Sequence, residues 1–223
     1  GSAQPTAAQV LAGQSAGGGT PAAAASVVIG AGSVATPVTI TLTGLSSAVT
    51  YDVWVACQDA SSPPLPQPNA TVIVVTTRDV VPPSFPAGFP KVENVGVATV
   101  DIVTQLTEPG RAWWMVLPAS SAAPNVAGVV AGTNAEAVDA GGPVDIAAAA
   151  SSVTERARGL AASTSYVVYV VAEDVATPPN RQASVASVPF STPAHAPPFF
   201  EGGYPRVGDT NDGARLDVDV QLG

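Results

Sequence analysis

Two stretches of this chain decide its fold because the second repeats the first. They read GLSSAVTYDVWVACQD at residues 44–59 and GLAASTSYVVYVVAED at residues 159–174. Tyr51 and Tyr166 hold the same place in each stretch and lie 115 positions apart. After each tyrosine, apolar residues occupy at least every second position, which is typical of a β-strand with a buried face. The chain therefore contains an internal repeat built around a strand.

The repeat extends well beyond these stretches and sets the domain boundaries. It continues without a gap at the same offset through residues 88–92 and 203–207, and residues 5–13 match 124–132 at an offset of 119. We expect three segments, which are an incomplete first repeat lacking its early strands, a complete β-sandwich repeat, and the opening strands of a third repeat. Their bounds are 1–81, 82–196 and 197–223.

The first repeat has no counterpart of residues 108–119, which include the apolar strand 111–117 of the complete copy. It should therefore present open strand edges and an unfilled core, and open edges favour pairing with another strand. The missing strands come either from the same chain or from another one. In the second case, neighbouring copies complement one another head to tail.

Composition favours short strands and excludes several classes of partner. Hydrophobic residues make up 46% of the chain, and its 21 glycines and 22 prolines break the sequence too often for long helices. The net charge is −9 and Lys91 is the single lysine, so the clustered basic residues that bind nucleic acid or anionic membranes are absent from the sequence. No apolar run reaches 18 residues, so we expect no membrane span.

The complete copy carries the pattern of about seven short strands. The alternation predicts a half-buried strand at 99–106, with Asp101 and Val103 on its polar face, and Val218, Val220 and Leu222 continue the same pattern from Leu216 in the third copy. The small-residue stretch 118–150 should hold loops and a short edge strand or helical turn. Seven strands in about 110 residues indicate an all-β, immunoglobulin-like sandwich. The other predicted strands are 111–117, 154–160, 165–172 and 183–191.

The Gly-Leu pair, followed by Tyr-x-Val-x-Val, resembles the hallmark of fibronectin type III domains. The resemblance implies tandem fibronectin type III-like β-sandwiches in which Tyr51 and Tyr166 are tyrosine corners whose hydroxyls bond to upstream backbone. It also implies that Tyr166, Val168, Val170 and Ala172 point inward. Cys57 replaces Ala172 in the first copy and is therefore expected to be a small buried core residue.

A second resemblance covers most of the chain. The opening Pro-Pro-x-Phe-x-x-Gly-[Phe/Tyr]-Pro-[Lys/Arg]-Val, at 82–92 and 197–207, is similar to repeats in very large surface glycoproteins of green algae and some bacteria. This resemblance implies an extracellular or cell-surface location and covalent glycans. The Pro-rich segment of the first repeat then resembles hydroxyproline O-glycosylation sites, and Asn69-Ala70-Thr71 is an N-glycosylation sequon. The prolines concerned are Pro63, Pro64, Pro66 and Pro68.

The sequence favours no catalytic, cofactor or metal site. His195 is the only histidine, and it lies in a Pro-bearing linker where a catalytic base would have no fixed partner. Residues 209–213 (DTNDG) begin like a calcium loop, but the twelfth position is Val220 rather than a glutamate, so a β-turn is expected there, with weak calcium binding as the alternative. Asp59 and Asp174 recur at the end of the Tyr-bearing strand and should cap its turn.

Three functions remain open at this stage. The first is a structural repeat of an extracellular fibre, surface coat or appendage whose partners are neighbouring copies of the repeat. The second is an adhesion module that uses outward-facing aromatics, for which Trp54 and Tyr169 are candidates, although cover by a loop or neighbouring domain is the expected reason for their position. The third is an accessory spacer in a secreted carbohydrate-active protein. An enzymatic role for this chain is not expected.

Overall fold

The computed structural model describes residues 3–30, 35–208 and 218–222, and this part of the chain is all-β with two short helices. The predicted fold class is confirmed at that level. The chain divides into two compact units, Gly1–Val81 and Pro82–Gly223. The predicted third segment, 197–223, belongs to the second unit, and its identity as the start of a further repeat stays a prediction.

The first unit contains one β-hairpin and little other regular structure. Helix α1 covers Ala7–Leu11, and a single turn of 3₁₀-helix covers Ala16–Gly18. Strand β1 (Thr50–Val55) pairs antiparallel with β2 (Thr71–Thr76). Within the described residues, these two strands form a two-stranded sheet without further members.

The second unit contains two larger antiparallel sheets. Their strands are β3 (Lys91–Glu93), β4 (Thr99–Gln105), β5 (Gly110–Pro118), β6 (Asp139–Ile146), β7 (Ser152–Arg158), β8 (Ser165–Asp174) and β9 (Ala186–Ser191). A three-stranded sheet has the order β3-β4-β7, and a four-stranded sheet has the order β6-β5-β8-β9. Helix α2 (Val126–Ala131) and β6 both fall in the stretch 118–150, where loops with a short strand or helical turn were predicted.

One apolar cluster draws its residues from both sheets. Strand β5 supplies alternate residues to it, and Trp114 is the largest of them. Gly141 of β6 lies flat against that ring, because a Cβ there would come within 2.7 Å of two ring carbons. The members are Val100, Ile102, Leu106, Ala112, Trp114, Val116, Ile146, Ala157, Leu160, Tyr166, Val168, Val170 and Ala172.

Strand β4 differs from the half-buried strand predicted for it, because both of its faces are buried. Asp101 is only 5% exposed. Its carboxylate accepts two hydrogen bonds from Arg156 on β7, at 2.6 and 3.0 Å, and a third from Asn94 at 2.8 Å. The Arg156 guanidinium, with help from Asn94, lowers the pKa of Asp101 from 3.8 to about 2. The long arginine side chain covers a face that the alternation alone assigns to solvent.

A second apolar cluster lies on the outer face of the four-stranded sheet, under α2. Trp113, Met115 and Leu117 of β5 enter it, so both faces of that strand are buried over residues 112–117. Helix α2 begins at Asn125, whose side chain accepts from the Gly128 N–H, and ends at Gly132 in the left-handed conformation. The buried members are Trp113, Met115, Leu117, Val129, Tyr169 and Val171.

A last hairpin joins β10 (Arg206–Val207) to β11 (Val218–Asp219). Its register matches that of β3 and β4, since Arg206 faces Asp219 as Lys91 faces Val103. Its predicted apolar face is exposed rather than buried, with Val218, Val220 and Leu222 between 55% and 64% accessible. Leu216 of that face lies outside the described residues. Across the described part of the chain, no helix has the length and apolar character needed to cross a bilayer.

Candidate interaction surface

The two Tyr-bearing strands are anchored by the same corner. The Tyr51 hydroxyl accepts a hydrogen bond from the Ser46 backbone N–H at 2.9 Å, and the Tyr166 hydroxyl accepts one from the Ala161 N–H at 2.9 Å. Both donors lie five residues upstream. The corner fixes the direction in which the chain enters each hairpin.

The recurring aspartates organise the loop after each of these strands. The Asp59 carboxylate accepts from the Leu65 N–H at 2.7 Å and from the Ser61 hydroxyl at 2.6 Å. The Leu65 N–H is the main reason why the pKa of Asp59 lies below its usual value. Asp174 accepts from the Ala176 and Asn180 N–H groups in the same way. Both side chains accept hydrogen bonds from loop backbone N–H groups that would otherwise bind water.

The two hairpins differ sharply in burial despite this shared geometry. Val168 and Val170 of β8 are fully buried, whereas Val53 of β1 is half-buried and Val55 is 41% exposed. Strand β8 has β5 along one edge and β9 along the other. Strand β1 has only β2 within the described residues. The inward face of β8 also packs against residues of the three-stranded sheet, and the described part of the first unit has no such sheet to cover the inward face of β1.

Strand β2 is exposed along its whole length. Ile73 is 57% exposed and Val75 is 43% exposed. Their equivalents on β9, Val188 and Phe190, pack against the main core, and the Phe190 ring stacks on Tyr166 with 5.7 Å between centroids. We define the open apolar face as the inward side of the first hairpin, formed by Val53, Val55, Ile73 and Val75.

Cys57 corrects one prediction. It was expected to be a buried core residue, but it is exposed, and its Sγ donates to Gln67 Oε1 at 3.0 Å. The equivalent Ala172 is fully buried in the main core, to which both sheets contribute, and it pairs with Ala112 of β5. The described part of the first unit has no counterpart of β5 or of the three-stranded sheet, and the thiol is exposed.

Two further segments of the first unit carry strand-like sequence without forming strands. Residues 37–43 (PVTITLT) occupy the place of β7, and Val38 and Ile40 are 39% and 44% exposed. Residues 21–30 lie between α1 and that segment, as β6 lies between α2 and β7, and Val28 is 94% exposed. In the second unit β7 pairs with β4, and β6 pairs with β5. The first unit lacks both of these partners in its described part.

The candidate glycosylation sites lie together on one exposed loop. Asn69 and the four prolines Pro63, Pro64, Pro66 and Pro68 are all exposed, between β1 and β2. The Asn69 backbone carbonyl accepts a hydrogen bond from the Gln67 side chain, which leaves the Asn69 side chain at the surface. The loop is accessible to modifying enzymes, and its occupancy stays a prediction.

The remaining candidates are placed as follows. His195 is exposed in the segment between β9 and β10. Residues 209–213, for which a β-turn was predicted, lie outside the described residues. Trp54 is half-buried on β1.

Tyr169 faces away from the main core as predicted, but α2 covers it and leaves it 8% exposed. A shallow depression of about 380 Å³ lies beside its ring and is lined by uncharged residues. Sequence reasoning did not identify α2 as the cover, although the Asn125-to-Gly132 capping pattern marks a short helix.

Comparison with known proteins leaves the chain without an assigned relative: no family model and no curated protein sequence matches it. The surface described here therefore rests on geometry alone.

Proposed function

We propose that this chain is a structural repeat unit of an extracellular fibre, surface coat or appendage, arranged head to tail with neighbouring copies. One observation carries the proposal. The first unit is a hairpin with an open apolar face, and the far end of the chain is a hairpin with the register of β3 and β4 and a second exposed apolar face. The Tyr-bearing hairpin and the hairpin of β3 and β4 each occur twice along the chain, with the same register in both copies. Repeats that follow one another along a chain fit a linear array.

The repeat itself is a fibronectin type III-like sandwich in this proposal. Three features support it, which are the seven strands of 82–196, their division into sheets of three and four, and a core shared by the two sheets. The Tyr166 corner, at the start of the strand next to β9, is a further feature of such domains. The Tyr51 corner extends the assignment to the first repeat.

Glycosylation and an extracellular location belong to the same proposal. The Pro-rich loop and Asn69 project from the first unit with exposed side chains, so attached sugars would not displace core contacts. Sugars on that loop would also cover apolar surface such as Leu65, which is 65% exposed. Covering exposed apolar groups limits unspecific association of a fibre that carries many of them.

Electron microscopy of the native material, together with intact-mass analysis of the same sample, tests the proposal. We expect long fibres of beaded domains and a mass above that of the polypeptide. Monodisperse particles of polypeptide mass would overturn both the fibre and the glycans. Fibres whose mass equals that of the polypeptide would support the structural role and exclude the proposed glycans.

An adhesion module is the competing function, and the depression beside Tyr169 is the feature that favours it. Two observations weigh against it. The Tyr169 ring is buried under α2 rather than offered to a ligand, and the depression has no charged residue on its walls. A glycan-array screen that gave saturable binding, lost in Tyr169→Ala but retained in a Trp54→Ala variant, would favour adhesion over the structural role.

A further inference from the structure

Strand β2 lies at an edge of its sheet and lacks the charged residues and the proline by which edge strands avoid other strands. All six of its residues, Thr71–Thr76, are β-branched and exposed. We propose that β2 is a dimerisation edge, at which two copies of this chain pair antiparallel across a two-fold axis. The inference goes beyond the proposed function, because a two-fold contact closes with two copies whereas a head-to-tail contact repeats.

The position of β2 is an edge in the complete copy of the repeat as well. Its equivalent β9 is the last strand in the order β6-β5-β8-β9. In the described part of the chain, β2 pairs with β1 alone, and its further hydrogen bond joins the Thr76 and Thr50 hydroxyls inside the same hairpin at 2.8 Å. The edge of β2 therefore does not depend on what covers the inward face of the first hairpin.

The backbone groups of every second residue point out from this edge. The Thr77 N–H donates to the Val49 carbonyl at 3.0 Å, so these two residues form a hydrogen-bonded pair. Hydrogen-bonded pairs recur at every second residue of an antiparallel ladder, which places Val74 in a pair that is not hydrogen-bonded. The N–H and C=O of Val74 therefore point away from β1, as do those of Val72 and Thr76.

The equivalent strand shows how such an edge is blocked. At the repeat offset of 115, Pro189 of β9 holds the place of Val74 and lies in the same kind of pair. Because proline has no N–H, β9 has no donor at this point of its edge. Ser187 of β9 corresponds to Val72, so the outward face of β9 is also more polar. Strand β2 carries valine at both places.

A two-fold axis at Val74 gives the pairing with the most hydrogen bonds. The two Val74 residues then lie opposite each other, and Val72 of each copy faces Thr76 of the other. Each of these pairs exchanges two N–H···O=C bonds. Ile73 faces Val75 on the other face of the sheet, so every cross-strand pair joins β-branched side chains. The open apolar faces of the two hairpins then lie side by side on one four-stranded sheet.

The sequence of β2 favours a second copy of itself over another partner strand. TVIVVT reads nearly the same in both directions, which is what a two-fold contact requires of a strand. The paired segments hold no charged residue, so no like charges are opposed in the contact. The pairing also uses up the edge of β2 in both copies. Association through this edge therefore stops at two chains.

Sedimentation velocity of the full chain tests the association. We expect a concentration-dependent species of twice the 22.0 kDa of one chain, since two six-residue strands form a small interface. Added salt should favour the dimer, because it screens the repulsion between two chains of net charge −9. A dimer that salt dissociates, or the mass of one chain from micromolar to millimolar concentration, would overturn the inference.

Val74→Pro is the sharpest variant, since it gives β2 the residue that β9 has. It removes the outward N–H at the axis without removing a bond to β1, and we expect it to weaken the dimer by about tenfold or more. Val74→Ile keeps the N–H and should retain the dimer. Hydrogen exchange of the hairpin amides checks that β1 and β2 stay paired in both variants. A Val74→Pro chain that keeps its hairpin and dimerises as before contradicts the proposal.

Cysteine crosslinking tests the register without the proline variant. Both chains carry Cys57→Ser, which removes the one native thiol. Val74→Cys places two thiols opposite each other at the axis, where Cβ atoms lie about 4.5–5.5 Å apart, near the range of a disulfide. Thr71→Cys separates them by about 20 Å, at about 3.4 Å per residue along the strand. We expect Val74→Cys to form disulfide-linked dimers about tenfold faster or more, and equal rates would exclude this register.

The remaining outcomes separate this inference from the proposed function. If the chain dimerises in this register but the native material forms no fibres, the inference stands and the proposed function fails. If the native material forms fibres but the isolated chain stays monomeric, the inference fails and the proposed function stands. Large aggregates that crosslink Val74→Cys and Thr71→Cys equally would show unspecific association of an exposed strand and overturn the two-fold pairing.

Discussion

The hairpin of β1 and β2 and the hairpin of β8 and β9 have the same register and the same tyrosine corner, but they have opposite exposure. In the second unit the inward side chains of β8 are buried, and in the first unit their equivalents are half-buried or exposed. Burying a valine side chain contributes about 1.5–3 kcal/mol. The first hairpin gains less of this stabilisation at the equivalent positions. It therefore keeps the local geometry of the second hairpin without the stabilisation that a closed core provides.

The largest expected effect lies in the core beside the three-stranded sheet, which has no counterpart in the described part of the first unit. Leu106 is fully buried in the main core, and Leu222 is its 60% exposed counterpart in the third copy. We expect Leu106→Ala to lower the free energy of unfolding of the second unit by about 2–5 kcal/mol, since it leaves a cavity. Leu222→Ala is the matched control and should change it by less than about 0.5 kcal/mol. Urea unfolding followed by tryptophan fluorescence measures both, and equal effects would contradict the exposure of the last hairpin.

A matched pair inside the two hairpins gives the next largest effect. Val168→Ala removes two methyl groups from the closed core and should cost about 2 kcal/mol. Val53→Ala, at the equivalent half-buried position, should cost less than about 1 kcal/mol. Hydrogen-exchange mass spectrometry reads each hairpin separately. If the two variants lose equal protection, the open apolar face is covered in solution.

The tyrosine corners allow the two hairpins to be compared by removing the same single hydrogen bond from each. Tyr166 is 4% exposed and its hydrogen bond with the Ala161 N–H is partly buried, so Tyr166→Phe, which removes that bond, should cost about 1.5 kcal/mol. Tyr51→Phe should cost less, about 0.5 kcal/mol, because water reaches the exposed Ser46 N–H. The same exchange experiment compares them. A larger loss for Tyr51→Phe would mean that the first corner is the more enclosed of the two.

The smallest effect is a pH dependence that belongs to the second unit. The pKa of Asp101 falls from 3.8 to about 2 beside Arg156, so the carboxylate is favoured in the folded state. The resulting stabilisation is complete above pH 3.8 and is lost as the pH falls toward 2. Asp101→Asn should flatten the acid limb of the stability curve of this unit. Arg156 corresponds to Thr41 in the first unit, so that unit has no equivalent of this pair. An unchanged acid limb in Asp101→Asn would show that other carboxylates dominate.

Sequence reasoning reached most of the fold because its signals are local. The alternation of 165–172 found β8, and the recurrence of Asp59 and Asp174 pointed to loop caps whose hydrogen bonds are present. It was wrong about Cys57 because the burial of the equivalent Ala172 depends on strands of both sheets, which have no counterpart in the described part of the first unit. It was also wrong about the polar face of β4, where Arg156 reaches across from a strand more than 50 residues away.

The sequence by itself determined the period of the repeat, the phase of the Tyr-bearing strands and the tyrosine corners. The corners depend on residues within a few positions of one another, so the Tyr-bearing hairpin has the same local geometry in both copies. Tertiary structure decided which of these faces is buried. Burial requires neighbours that are distant in the sequence, and β5 is present beside β8 but has no counterpart beside β1 in the described part of the chain. One sequence pattern therefore gives a closed core in the second unit and an open apolar face in the first.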